Sequence, residues 1–137
     1  MKRLILFFMS MTLAGCVTIA EDAQVAAPST GHKLVSLRQV LPGMSEKEVQ
    51  TVLGGQVVVG YILNEEIKQY NPITLKNPYR LEMIKKGTTE YQVHYYFVSI
   101  KQEDDKIADD ELEPLVFKDG KLVGKGWAFF HSIGLRP

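Results

Sequence analysis

Pro42 to Gly55 reads PGMSEKEVQTVLGG, and the way this stretch folds decides how its neighbours are read. Ser45 and Glu48 stand at the S-x-x-E spacing of a capping box, in which each side chain bonds the other's backbone N–H at a helix start. Met44 before the cap and Val49 four residues after it match a hydrophobic staple. Val49, Val52 and Leu53 make one apolar stripe at helical spacing, and Gly54 supplies a C-terminal stop. A capped helix is therefore expected just after Ser45. Upstream, Leu37, Val40 and Leu41 are spaced for a second short helix, ended by Pro42-Gly43.

Downstream the pattern changes to strand-like runs. QVVVGYIL, from Gln56, reads as a strand or as a buried extension. NPITLKNP contains two Asn-Pro pairs and reads as a loop. YRLEMIKK and EYQVHYYFVSI alternate and meet near Gly87, which predicts a hairpin. In the second of these strands Tyr91, Val93, Tyr95 and Phe97 share one face, and His94, Tyr96 and Val98 share the other.

The run PLVFKDGKLVGKGWAFF predicts a second hairpin about a two-residue Asp119-Gly120 turn. Its register would place Leu115, Phe117, Leu122, Gly124, Gly126, Ala128 and Phe130 on one face. Val116, Val123, Trp127 and Phe129 would lie on the other, with Lys118, Lys121 and Lys125 beside them. Glycine is costly inside a strand, so Gly124 and Gly126 predict close packing there, with the capped helix as the natural neighbour. Val116, Val123, Trp127, Phe129 and Lys125 are then the candidate interface, an aromatic strip with a basic rim. The alternative is that residues 56–75 fold over this strip and make it core.

The expected fold is α+β: two short N-terminal helices on one face of a three- to four-stranded antiparallel sheet, in a single domain over 35–131 with a tail at 132–137. The start of the chain is different. Lys2 and Arg3 precede an apolar run from Leu4 to Leu13, followed by the small residues Ala14 and Gly15, in the order of a secretory signal peptide. The run is about half the ~20 residues a spanning helix needs. Cys16 is the single cysteine, so no disulfide forms within one chain. Leu13-Ala14-Gly15-Cys16 resembles the bacterial lipobox. That resemblance implies a signal peptide over 1–15 cut between Gly15 and Cys16, with a diacylglycerol and an N-acyl chain on Cys16. Several acyl chains give lasting attachment where one is marginal. Val17 in place of Asp implies sorting to the periplasmic leaflet of an outer membrane in a diderm host. Residues 16–34, small and polar, read as a tether.

Without Lys2 and Arg3 the chain holds 14 basic and 16 acidic residues, and this near balance is no footprint for nucleic acid. Seven of the residues from Glu103 to Glu113 are acidic, but they lack the glycine and ligand spacing of an EF-hand and read as a solvated loop. His32, His94 and His131 show no metal-site spacing, and His94 reads as a strand residue rather than a base. No catalytic residue, metal or other cofactor is expected.

Gly43, Met44, Ser45, Val49, Leu53 and Gly54 match the G-M-[ST]-x-x-x-V-x-x-x-L-G signature, so the chain resembles the SmpA/OmlA/BamE-like small lipoproteins. The likeness is good over 42–54, weaker over 90–130 and poor over 55–89. It implies a helix pair on an antiparallel sheet and a non-catalytic accessory role at the outer-membrane β-barrel assembly machine or in envelope integrity. The expected function is a lipid-anchored protein-binding module. The alternative is a periplasmic small-ligand carrier or envelope enzyme that uses the concavity of the sheet.

Overall fold

The computed structural model describes residues 34–102 and 106–136. The capped helix forms where its signals place it, as α1 (Glu46–Leu53). The backbone N–H of Ser45 donates to Glu48 Oε2 at 2.7 Å, and that of Glu48 donates to Ser45 Oγ at 3.3 Å. The Ser45 N–H and the Ser45 hydroxyl both donate to Glu48 Oε2 and hold that carboxyl below its usual range. Gly54 ends the helix at φ +77°. Of the expected stripe, Val49 is fully buried, Leu53 packs at the margin and Val52 is exposed. The first helix is shorter than expected. It is a single 3-10 turn over Leu37–Gln39, with Leu37 and Val40 buried and Leu41 exposed.

Six strands follow: β1 (Gln56–Asn64), β2 (Gln69–Lys76), β3 (Arg80–Lys86), β4 (Thr89–Phe97), β5 (Leu112–Lys118) and β6 (Lys121–Lys125). They make two antiparallel sheets, a β1–β2 ribbon and a four-stranded meander in the order β3-β4-β5-β6. A last helix, α2, covers Trp127–Ser132. The α+β class and the antiparallel pairing are as expected, but the strands are more numerous and fall in two sheets. NPITLKNP is not a loop. Pro72 lies within β2 opposite Tyr61, which a two-stranded ribbon tolerates because each strand has an outer edge that needs no donor.

The main sheet is packed on both faces. On one lie Tyr96, Leu115, Phe117 and Leu122, covered by Leu37, Val40 and Val49. On the other lie Val93, Tyr95, Phe97, Leu112 and Val116, covered by Phe130, Leu135 and Val57 at the root of β1. The chain entering α1 is also tied to the edge of β6: Gly43 N–H donates to the Leu122 carbonyl, and Leu122 N–H donates to that of Met44, at 2.7 and 2.8 Å.

Asp119 and Gly120 both have positive φ, as a type I′ turn requires, and they set Lys118 against Lys121 and Phe117 against Leu122. The expected register then fails. Val116 faces Gly124 and Leu115 faces Lys125, so Val123 is the extra residue of a β-bulge. The bulge moves every later residue to the opposite face. Strand geometry ends at Gly126, which turns at φ +86° and starts α2.

What packs on Gly124 is therefore not α1 but the Phe129 ring. A Cβ at Gly124 would stand 2.4 Å from three of its carbons. The end of α2 is closed by Gly134, in the left-handed region, through Gly134 N–H to the His131 carbonyl and Leu135 N–H to that of Phe130. This is a Schellman pair whose apolar contact joins Leu135 to Phe130. Lys86 Nζ adds a cation by donating to the Ile133 carbonyl at 2.5 Å. Residues through Leu135 thus belong to the packed domain, although 132–137 were expected as a tail.

Gly124→Ala is expected to cost about 1–3 kcal/mol by overpacking against Phe129. In a Phe129→Ala background the same change should cost much less. Urea midpoints of the four proteins in this cycle measure the coupling, and equal costs in both backgrounds would remove Phe129 as the neighbour.

Candidate functional site

The β1–β2 ribbon carries apolar side chains that nothing covers. Its root is docked, since Val57 is buried and Val59 and Leu75 pack against the core. Further out, the pairing register puts Val58, Tyr61, Leu63, Tyr70 and Pro72 on one side of the ribbon. The four large ones are 37–43 % exposed. The other side alternates Ile62 and Ile73 with Asn71, Gln69 and Asn64, so beyond Thr74, which pairs with Val58, the first side is the continuous apolar one. At the tip Asn64 Oδ1 accepts from the N–H groups of Glu66 and Ile67, and Lys68 pairs with Glu65 at 2.6 Å. At ~3.3 Å per residue the ribbon is about 30 Å long. Isolated two-stranded ribbons are marginal in water, which makes this arm an exposed surface that gains by being covered.

A second uncovered strip lies on edge strand β3. Tyr79 just before it, and Leu81 and Met83 within it, are 47–58 % exposed. The opposite side of β3 is occupied. Tyr95 donates its hydroxyl to Glu82 at 2.8 Å, and Arg80 stands 4.0 Å from the Tyr95 ring centroid. Burial and the bond to Glu82 push the Tyr95 hydroxyl up to about 12.

Beside the β3 strip sits a small polar cluster. Leu81 pairs with His94 and Met83 with Gln92. Glu46 Oε2, at the start of α1, accepts from Gln92 at 3.2 Å and lies 3.6 Å from His94 Nε2. His94 is buried against Phe117, and its Nε2 has no hydrogen-bond partner. Burial lowers its pKa from 6.5, opposed by the Glu46 charge. A neutral buried imidazole beside one carboxylate, with no nucleophile in reach, stacks and packs. Among the described residues no group of three or more His, Cys, Asp or Glu side chains could hold a metal ion.

The five expected interface residues do not share an exposed face. Val116 is fully buried, and Val123 is the bulged residue at the surface. The Trp127 indole N–H donates to the Leu112 carbonyl at 2.8 Å, and Phe129 lies over Gly124. Lys125 is on the other side of the sheet, its ammonium donating to the Leu37 and Val40 carbonyls at 2.6 and 2.8 Å. Gly15 and Cys16 lie outside the described residues, as do 103–105 of the acidic loop.

Of the acids that remain in that loop, Glu111 turns inward. It accepts from the backbone N–H groups of Lys101, Gln102 and Ala108 at 2.6–3.1 Å. Burial raises its pKa, but the three bonds together outweigh that and hold the carboxyl below its usual value. This acid closes the loop rather than opening it to a ligand.

No protein-family model matches the chain, and neither does any curated protein or solved structure. Among the described residues no helix is long and apolar enough to cross a membrane.

The His94 environment sets the sign of one pH effect. A group whose pKa is depressed on folding takes up protons more readily in the unfolded chain. Stability should therefore be full above 6.5 and fall as the pH drops below it. Urea midpoints at about pH 7.5 and about 5.5 should show this loss, and His94→Phe should shrink it. A wild-type midpoint that rises on acidification would mean that attraction to Glu46 outweighs burial.

Proposed function

We propose that this chain is a non-catalytic, lipid-anchored binding module of a bacterial envelope, with the apolar side of the β1–β2 arm as its contact surface. Cys16 carries the lipid, and the domain sits at the periplasmic leaflet of an outer membrane. The observation that supports this reading best is the arm itself: a ribbon docked only at its root, with Tyr61, Leu63, Tyr70 and Pro72 together on one side of its outer half. Monomeric soluble domains rarely keep such a surface uncovered. The lipobox-like LAGC and the BamE-like signature over 42–54 add the anchor and the class. Helices on an antiparallel sheet fit that family. The β1–β2 arm lies over the part of the chain, 55–89, where the resemblance is poor, so a barrel-assembly role rests on the signature and the binding role on the arm.

Two variants test the two halves of the reading. Cys16→Ala should lose metabolic palmitate label and leave the membrane fraction; label retained without Cys16 would contradict the anchor. A photo-crosslinking residue at Tyr61 of the full chain should capture protein in intact membranes, and the same residue at Asp119, on the far turn, should not. Leu63→Ser with Tyr70→Ser, a partly exposed cross-strand pair, should cost no more than ~1 kcal/mol in urea unfolding while abolishing capture. Labelling of lipid alone at Tyr61 would contradict the protein-binding role.

A further inference from the structure

We propose that the occupant of the arm is a second copy of this chain: the Tyr61–Leu63–Tyr70 side of each arm lies on the Tyr79–Leu81–Met83 strip of the other. The proposal rests on the binding-module reading and names the partner for it. Its starting point is that one chain carries two uncovered apolar surfaces. The arm does not reach back over β3, because Leu81 and Met83 are 54 % and 58 % exposed. A twofold pair covers both at once, since residue i meeting residue j implies j meeting i.

The lengths agree to within one residue step. Val58 to Asn64 pair with Thr74 to Gln69 across a bulge at Val59 and span five paired steps, about 17 Å at strand rise, and Tyr79 to Lys85 on β3 span six, about 20 Å. The charges agree as well. The arm tip carries Glu65 and Glu66, and the apolar strip on β3 is followed, on the same side, by exposed Lys85, whose cross-strand neighbour Glu90 does not come within ion-pair distance of it. Aligned with the arm's root by Tyr79, the acidic tip meets that lysine. Glu65 already holds Lys68, which leaves Glu66 as the tip acid for Lys85. Without Lys2 and Arg3 the anchored chain holds 14 basic and 16 acidic residues, a small excess of acid that sets up little repulsion between copies. An anchor at Cys16 would confine copies to one surface and raise their effective concentration. The paired β3 strip would also cover His94 and Gln92 from the side of Leu81 and Met83.

The experiment uses the full chain in its own membrane. One copy carries Leu63→Cys and a co-expressed copy carries Leu81→Cys; an acylated Cys16 offers no competing thiol. Mild oxidation should give a covalent dimer of the two, and Asp119→Cys paired with Leu81→Cys should give none. Glu66→Lys on the first copy should lower the yield by about threefold, as a partly exposed ion pair allows, and Lys85→Glu on the second should restore it. Absence of the Leu63–Leu81 dimer, or an exchange of charges that does not restore it, overturns the proposal. If Leu63→Cys instead joins a different protein, the second copy is wrong and the binding-module reading stands. If the arm joins nothing, both fall. A dimer formed by the wild-type chain would show a free Cys16 and would count against the anchor.

Discussion

Asn77 replaces a strand where the arm meets the sheet. Its side chain is buried, its Nδ2 donates to the Phe97 carbonyl at 3.2 Å, and its Oδ1 accepts from the Phe97 N–H at 2.9 Å. One amide thus answers both backbone groups at the end of β4, as a neighbouring strand would. The Asn77 N–H in turn donates to the Gly55 carbonyl, which ties the residue after β2 to the residue before β1. Both ends of the ribbon are pinned at one buried point, and the peptide into Pro78 is cis. Backbone groups so deeply placed cannot be left unpaired. The arm's exposure follows from this. Its root is fixed to Phe97 through Asn77 and packed by Val57, and beyond it β1 and β2 pair only with each other.

The main sheet has a comparable dependency on its other side. The bulge at Val123 turns Gly124 toward the face of Val116, and Gly126 then releases the chain from strand geometry. Only a residue without Cβ leaves room for the Phe129 ring, and the ring can arrive only because α2 folds back. With α2 in place the sheet is buried on both faces. Among the described residues, most of the exposed large apolar side chains then lie on the arm and β3, where the sequence predicts a strip on β5 and β6.

Local signals were legible wherever one short motif carried them. The capping box of Ser45 and Glu48 and the turns at Gly87 and Asp119-Gly120 gave α1, two hairpins and the antiparallel α+β class. The faces of β4 followed from simple alternation. Features set by distant contacts were not legible. GWAFFHS is aromatic enough to read as strand, and it becomes helix because Gly126 breaks the strand and Phe130 and Leu135 find a core. A bulge leaves no mark in an alternating sequence, and missing it misplaced Trp127, Phe129 and Lys125. Pro72 was read as a breaker because a ribbon edge, where proline is harmless, cannot be told from a central strand by composition. Glu111 looked like its acidic neighbours, and only the fold supplies its three N–H donors. The two glycines did announce a close contact, and one of them, Gly124, has it.

The central claim is that Asn77 holds the arm in place, with only the packing of Val57, Val59 and Leu75 at its root to help. Amide hydrogen exchange in Asn77→Ala compared with the wild-type chain tests it most directly. The account predicts that the β1 and β2 amides lose most of their protection, while those pairing β4 with β5 keep theirs. Truncation strands two buried backbone groups of Phe97, at about 1–3 kcal/mol each, so some loss at the end of β4 belongs to the same result. Unchanged protection along β1 and β2 would contradict the account, because the arm would then be held by something other than the Asn77 junction.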